Sequence, residues 1–319
     1  GDTMEWFETR GVPLKIEEDG RVFPVSNSSQ TIIDCFLEEI KTHQIELLLN
    51  HSVQGIRYKN EAWELDTTKG VFTTPKLLIA TGSNPKIWKL LESVGHHVVP
   101  PVPSLFTFNI KDSRLKTIPG VVALDVHISV VNSSLESEGP LLVTHTGLSA
   151  PSILKLSAYG ALELAEREYQ FQIKVNFIKQ EFSECLERLL EIKTAFPRKT
   201  ILKSSQFELP KRLWEQLVIA SKMPKDLRWA EVNKQQLQAL ASQLTEAVFS
   251  VDGKSTFKEE FVTAGGVELK EVNFKTFESK HLKNLFFAGE VLNIDAVTGG
   301  FNFQNAWTSA FIAAQQLSK

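Results

Sequence analysis

The chain has 319 residues, 42% of them hydrophobic, with 35 Lys and Arg against 38 Asp and Glu and a formal net charge of −3. That is apolar material for two or three cored domains, and the slightly acidic balance provides no broad basic field, so nucleic-acid and anionic-membrane binding have no compositional support. No apolar run nears the roughly 18 residues of a membrane span and no signal peptide opens the chain; the default expectation is a cytoplasmic protein whose partner is a small molecule.

Taken from the start, Gly20, Arg21, Val22, Phe23 and Pro24 precede a helix expected to begin near Ser29 or Thr31. Ile32, Ile33, Phe36, Leu37 and Ile40 recur on one face, Cys35 falls on the apolar side, and the helix is expected to pack on a sheet. Arg21 either pairs with Glu17, Glu18 or Asp19 or neutralises a cofactor phosphate or substrate carboxylate. From Leu47 onward the pattern becomes short strands over 62–67, 71–73 and 77–80, a β-meander returning to a buried strand. That strand ends at Thr81 and Gly82, where a missing side chain lets backbone approach a ligand's ribose or phosphates, or serves a plain turn.

Pro100, Pro101 and Pro103 read as a domain boundary, because consecutive prolines favour extended backbone and lack N–H donors. Alternation over 105–110, 121–131, 141–146 and 169–178 then predicts a β-rich, barrel-like domain. Within it, residues 144–151 read THTGLSAP. His145 stands at a strand end, as a turn residue or as a proton donor near neutral pH, and Ser149 is placed to cap a helix starting near Pro151. Over 181–251 the period turns helical, with Pro210 at a helix start ahead of Leu213, Trp214, Leu217 and Val218, and a further helix carrying Leu237, Leu240, Leu244 and Val248. Strand character resumes at 257–262.

Near the C-terminus Leu285, Phe286, Phe287 and Ala288 form an apolar run halted by Gly289, which reads as a buried strand ending at a ligand edge. Glu290 follows as an acceptor for sugar or ribityl hydroxyls. Thr298, Gly299 and Gly300 then open a helix with Phe303, Ala306, Trp307, Ala310, Phe311, Ala314 and Leu317 at helical spacing. Paired glycines before a helix admit a ligand to unpaired N–H donors and a partial positive charge, a setting for a developing anion, or they are an ordinary turn. His96 and His97 are adjacent, so their side chains diverge on a strand, and no metal site is expected. Cys35 and Cys185 form no CxxC, which argues against dithiol redox chemistry and a cysteine zinc site.

In chain order GRVFP, ATGS, PSL, THTGLSAP, TAGGV, FFAGEV and IDAVTGGFNFQNAW resemble the aminoacetone oxidase family of FAD-binding oxidoreductases, which includes bacterial bile-acid double-bond reductases. The resemblance implies an α/β fold with an α+β insert: a Rossmann-like FAD domain over 1–101 and 270–319, a β-barrel-like domain over 102–180 and 254–269, and a helical insert over 181–253. It implies FAD contacts from Thr81, Gly82, Thr263, Gly289, Glu290, Asp295, Gly299, Gly300, Phe301 and Asn302, with Arg21 and Ser149 near the substrate and His145 in catalysis. Seventeen glycines include no Gly-x-Gly, so the pyrophosphate-binding βαβ unit with which family members begin is missing here, and the chain reads as incomplete in that domain. Two departures accompany this: Ala150 stands where the family has glycine, and Asn293 where it favours aspartate. The expected function is FAD-dependent oxidation or reduction of a small molecule, with substrate and electron acceptor open. The alternative is a non-catalytic binding or scaffold protein without the pyrophosphate loop.

Overall fold

Prolines 100, 101 and 103 mark the place where the chain passes from one compact unit to another: the first comprises Gly1–Pro101 and Thr263–Lys319, the second Val102–Val262. The computed structural model describes residues 1–255, 262–297 and 300–319.

In the first unit, Val53–Lys59, Ala62–Thr67 and Gly70–Thr74 form the antiparallel meander. Its return strand, Leu77–Ile79, runs parallel to Leu285–Phe287 in the register Leu77 to Leu285 and Ile79 to Phe287. Glu278–Ser279 and Val272–Asn273 complete a four-stranded sheet with Leu77–Ile79 at one edge. Trp63, Leu91, Leu285, Phe287, Val291 and Leu292 are fully buried around it. Each buried indole finds a carbonyl, Trp63 Nε1 donating to Lys283 at 3.2 Å and Trp88 Nε1 to Val291 at 2.9 Å, as an apolar ring with one polar edge requires. The closing helix, Phe301–Leu317, has its last carbonyls held by Lys76 Nζ, at 3.2 Å from Gln316 O and 2.9 Å from Leu317 O, a cation at the negative end of a helix dipole.

The Ser29–Thr42 helix forms where its apolar period predicts, with Ser28 Oγ capping Gln30 N at 3.2 Å. It meets the short antiparallel pair Leu14–Ile16 and Val22–Pro24, yet much of its apolar stripe stays open. Cys35 is its one buried residue and joins Phe7, Val12, Ile32 and Trp307, whereas Ile33, Phe36 and Leu37 are 47%, 39% and 46% exposed. A helical stripe fixes a face but not the partner that covers it. The same distinction corrects the closing helix: Ser309 and Ala313 are buried, while Phe303 and Phe311 are 65% and 56% exposed.

The second unit is built on seven antiparallel strands in the spatial order Ala247–Asp252, Gln170–Asn176, Val122–Val130, Glu136–Val143, Gly147–Ser149, Thr107–Asn109, Lys254–Ser255. The two strands at the ends of that order are successive in the chain. They meet at Gly253, which donates to Tyr169 O at 2.9 Å and accepts from Asn109 N at 3.0 Å. Phe171, Ile173 and Val175 point inward and Gln170, Gln172 and Lys174 outward, the two-residue period of a strand with one buried face. Helices Phe182–Ala195, Lys211–Ala220 and Lys234–Thr245 follow. The last ends at Thr245, three residues before the Val248 assigned to it from sequence. Ala247, Phe249 and Val251 are buried and Val248, Ser250 and Asp252 face out, so a period of two had already replaced the period of 3.6. The strand expected over 257–262 lies outside the described residues except for Val262, which begins Val262–Val267.

Ser149 ends its strand and does not cap the next helix. Ala150 is the N-cap of Pro151–Tyr159, with φ +84° and ψ 174° and no side-chain cap hydrogen bond. That region of backbone space is essentially reserved for glycine and costs an alanine on the order of 1–3 kcal/mol. Ala150→Gly is therefore expected to stabilise the protein by about 1 kcal/mol, after subtracting the unfolded-state entropy a glycine adds. A urea midpoint that falls in this variant would refute the strain assignment.

Candidate functional site

Parallel pairing brings the two candidate strand ends together. Ala288 N donates to Ile79 O at 3.0 Å, continuing the ladder by one residue, so Thr81 and Gly82 leave the sheet beside Gly289 and Glu290. This is the carboxyl edge of a parallel strand pair, where α/β sheets take ligands. Gly82 has φ +61°, and a Cβ there would meet nothing within 4 Å. Asn84 Oδ1 then accepts from Lys86 N at 3.0 Å and caps the Pro85–Ser93 helix. Glu290 sits in a single 3-10 turn, Gly289–Val291, half-buried; among the described residues no hydrogen bond or ion pair engages its carboxylate.

The glycines of this region divide into two kinds. Gly265, Gly266 and Gly289 are spent on packing. A Cβ on Gly265 would lie 2.7 Å from Pro101 Cα, one on Gly266 2.6 Å from Val291 O, and one on Gly289 3.3 Å from Ala306 Cβ. All three have positive φ, of 112°, 123° and 73°. Gly300 resembles Gly82 instead, with no atom of the described residues within 4 Å of its Cβ position. Open space over two glycines, at a strand end and at a helix start, is what a bound molecule would occupy.

Beside Asn302, named from sequence, the Phe301–Leu317 helix adds two polar residues that sequence reading passed over, Asn305 and Ser309. Gly300 is its N-cap and offers no side-chain cap, leaving first-turn N–H groups available. Gly289 N donates to the buried Ser309 Oγ at 2.9 Å, and Ser309 Oγ donates to Asn305 O at 2.6 Å. One and two turns before Ser309, on the same face, Asn305 Nδ2 and Asn302 Oδ1 are buried without a hydrogen-bond partner among the described residues. Asn302 Nδ2 has only a long contact of 3.5 Å to Ala296 O. A buried amide atom without a partner costs about 1–3 kcal/mol, so two on one helical face make this face a candidate ligand contact. The spacing of Asn302, Asn305 and Ser309 was the available signal: three polar residues on one face of the helix.

Of the other predicted residues, Phe301 is 62% exposed at the helix start, while Asp295 and Thr263 are half-buried. Asn293, read from sequence as a lost charge, accepts from Gly265 N at 3.0 Å through Oδ1 and donates its backbone N–H to Val267 O at 3.0 Å. Gly299 and the preceding Thr298 lie outside the described residues. Arg21 is exposed and pairs with Asp19 at 2.7 Å, and the Arg21 backbone N–H together with that guanidinium holds the Asp19 carboxyl below its usual range. His145 is in the second unit, exposed on the turn between two strands, with no hydrogen-bond partner among the described residues. Both cysteines are buried, Cys35 in the first unit and Cys185 in the second; burial raises both thiols, that of Cys185 to about 12.

His96 has a structural task. Its buried ring lies 2.7 Å from Glu271 Oε2 through Nδ1 and 3.0 Å from Ser279 Oγ through Nε2, while His97 is exposed. Desolvation lowers the His96 pKa from 6.5 despite the opposing pull of Glu271. A depressed folded-state value means the unfolded chain takes up a proton that the folded chain resists. The stability this contributes is full above pH 6.5 and is lost as pH falls through the folded-state value. Thermal midpoints measured downward from pH 7.5 should drop, and His96→Gln should flatten the drop; an equally steep decline in the variant would remove His96 as its cause.

Comparison with known proteins adds the following. The family model described as HI0933-like protein Rossmann domain matches residues 1–316. Ribosomal RNA dihydrouridine synthase of Escherichia coli is 29% identical over 99% of this chain and 78% of its own length. The protein of that name from Haemophilus influenzae is 27% identical, over all of this chain and 80% of its own. A 3-dehydro-bile acid delta(4,6)-reductase of Clostridium scindens is 22% identical over 99% and 79%.

Proposed function

This chain belongs to the HI0933-like Rossmann-domain family, and from that premise we propose that it is a flavin-dependent reductase that saturates a carbon–carbon double bond conjugated to a carbonyl. The relatives' names support the reaction class: a dihydrouridine synthase and a delta(4,6)-reductase both convert a double bond to a single one. The observation that carries the assignment to this chain is the pair of orphaned amide atoms, Asn302 Oδ1 and Asn305 Nδ2. They stand on the helix that begins at Gly300 and packs on Gly289. FAD fits the chemistry of these residues. The motifs running from TAGGV to TGGFNFQNAW, quoted above, support the finer placement near the aminoacetone oxidase group.

In this proposal Glu290 accepts hydrogen bonds from cofactor hydroxyls, Thr81 and Gly82 admit the cofactor to the sheet edge, and Thr263 and Asp295 line its site. Gly299, Gly300 and Phe301 admit the ring system, and Asn302 and Asn305 anchor its polar rim. Reduced FAD, when bound, supplies a hydride, which is two electrons and one proton, to the carbon β to the carbonyl. The chain must then deliver one further proton to the neighbouring carbon. His145 is the donor that the family resemblance and its residue type propose, with Arg21 and Ser149 proposed near the substrate.

The test is direct. Protein mixed with FAD and desalted should keep flavin absorbance. Photoreduced without oxygen, it should be reoxidised by a conjugated enone or by uridine in RNA, with a product two hydrogens heavier. Flavin lost on desalting, or reoxidation by oxygen alone without saturated product, would sink the reading and favour a non-catalytic binding protein.

A further inference from the structure

The net charge of −3 conceals an uneven distribution. Residues 198–234 hold nine Lys and Arg against four Asp and Glu. All nine cationic residues are exposed, and among the described residues none forms an ion pair. Elsewhere some cations are neutralised on the spot, as Lys179 is by Asp125 and Glu138, and Arg167 by Glu163. The four acids of the segment do not offset the nine: Glu231 Oε2 accepts from the Arg228 backbone N–H at 3.3 Å and contacts none of the nine cationic groups.

Five of these cations lie on or beside a hydrogen-bonded frame. Thr200 and Arg228 form an antiparallel bridge. Ile201 N donates to Leu227 O at 3.0 Å, Trp229 N to Lys199 O at 3.1 Å and Ala230 N to Pro197 O at 3.0 Å. Arg198, Lys199 and Arg228 therefore project from two segments locked side by side, and Lys203 and Lys225 flank them in sequence. Beneath, the fully buried Trp214 and Trp229 anchor the frame, through Trp214 Nε1 to Ile201 O at 2.9 Å and Trp229 Nε1 to Ser204 Oγ at 3.2 Å. Phe196 is 38% exposed with Lys199 Nζ 4.2 Å from its ring centre, so an aromatic edge stands within the basic surface.

We propose that this basic face of the helical segment is a docking surface for the phosphate backbone of RNA. Unpaired cations on a rigid frame, with arginine in the set and an aromatic ring among them, suit a regularly spaced polyanion with stackable bases. A whole-chain charge cannot exclude this, because counterion release depends on the cations at the contact and not on the sum over the molecule. The inference rests on the reductase reading only in what the docked RNA is for.

The probe is a fluorescein-labelled RNA stem–loop, titrated by anisotropy into the oxidised protein across a range of salt, so no turnover is involved. The combined variant Arg198→Gln, Lys199→Gln, Lys203→Gln and Arg228→Gln should bind about tenfold or more weakly, with a log–log salt slope shallower by roughly 3 to 4. A control with Lys59→Gln, Lys69→Gln, Lys89→Gln and Lys275→Gln carries the same charge change and should bind like the parent. No RNA binding by the parent, equal loss in both variants, or binding to phosphatidylglycerol vesicles in place of RNA would overturn the proposal. Docking without double-bond reduction would fail the reductase reading alone; reduction of a small enone without docking would fail this one alone.

Discussion

Replacing Gly266 with valine should cost about 3 kcal/mol or more of stability and release any bound flavin. Two independent penalties combine. The backbone at Gly266 has φ +123°, where a β-branched residue is strained, and its Cβ would stand 2.6 Å from Val291 O, 2.8 Å from Leu292 C and 2.9 Å from Leu292 O. All three atoms are backbone, so no rotamer change relieves the clash. The segment they belong to is pinned, by the parallel bridge from Val267 to Leu292, by Asn293 N to Val267 O at 3.0 Å and by Trp88 Nε1 to Val291 O at 2.9 Å. Making room for a valine means moving the turn that carries Gly289 and Glu290. Chemical denaturation and flavin retention should therefore fail together. A Gly266→Val protein with parental stability would show that these backbones do not approach as described.

Asn305→Leu should do the opposite to stability. The buried Asn305 Nδ2 has no partner among the described residues, so a leucine of similar shape removes an unsatisfied donor and should stabilise ligand-free protein by about 1 kcal/mol. The same change deletes a proposed cofactor contact, worth about tenfold to a hundredfold in FAD affinity if one or two hydrogen bonds are lost. A residue kept only for packing would move both quantities in one direction. Thermal midpoints without flavin, set beside FAD titration of the same protein, separate the cases. A less stable variant with unchanged FAD affinity would remove Asn305 from the site.

Much of the local structure was legible before any fold was known, because its causes are local. Pro151 and Pro210 mark helix starts, the alternation of Phe171, Ile173 and Val175 makes a strand, and the run from Leu285 to Phe287 is buried. The errors came where a local period had two readings or a face had no stated partner. Val248 follows Leu244 at helical spacing yet lies in a strand whose alternation begins at Ala247. The apolar stripe of Ser29–Thr42 gave no hint that its Cys35 would be packed with Phe7, from the start of the chain, and Trp307, from near its end.

Sequence by itself therefore determined the strand-edge and helix-start positions of the candidate site, since glycine spacing, a terminating carboxylate and an apolar run are properties of short segments. Only tertiary structure decided which glycines matter for what. Gly265, Gly266 and Gly289 face protein backbone or a packed helix, whereas Gly82 and Gly300 face open space, and no composition or spacing separates the two kinds. Tertiary structure alone also revealed that Asn302 Oδ1 and Asn305 Nδ2 are buried without partners among the described residues, and that Arg198, Lys199 and Arg228, which form no ion pair among the described residues, stand on two segments bridged to each other. Burial and pairing depend on what lies across space from a side chain, and residues distant in sequence supply it.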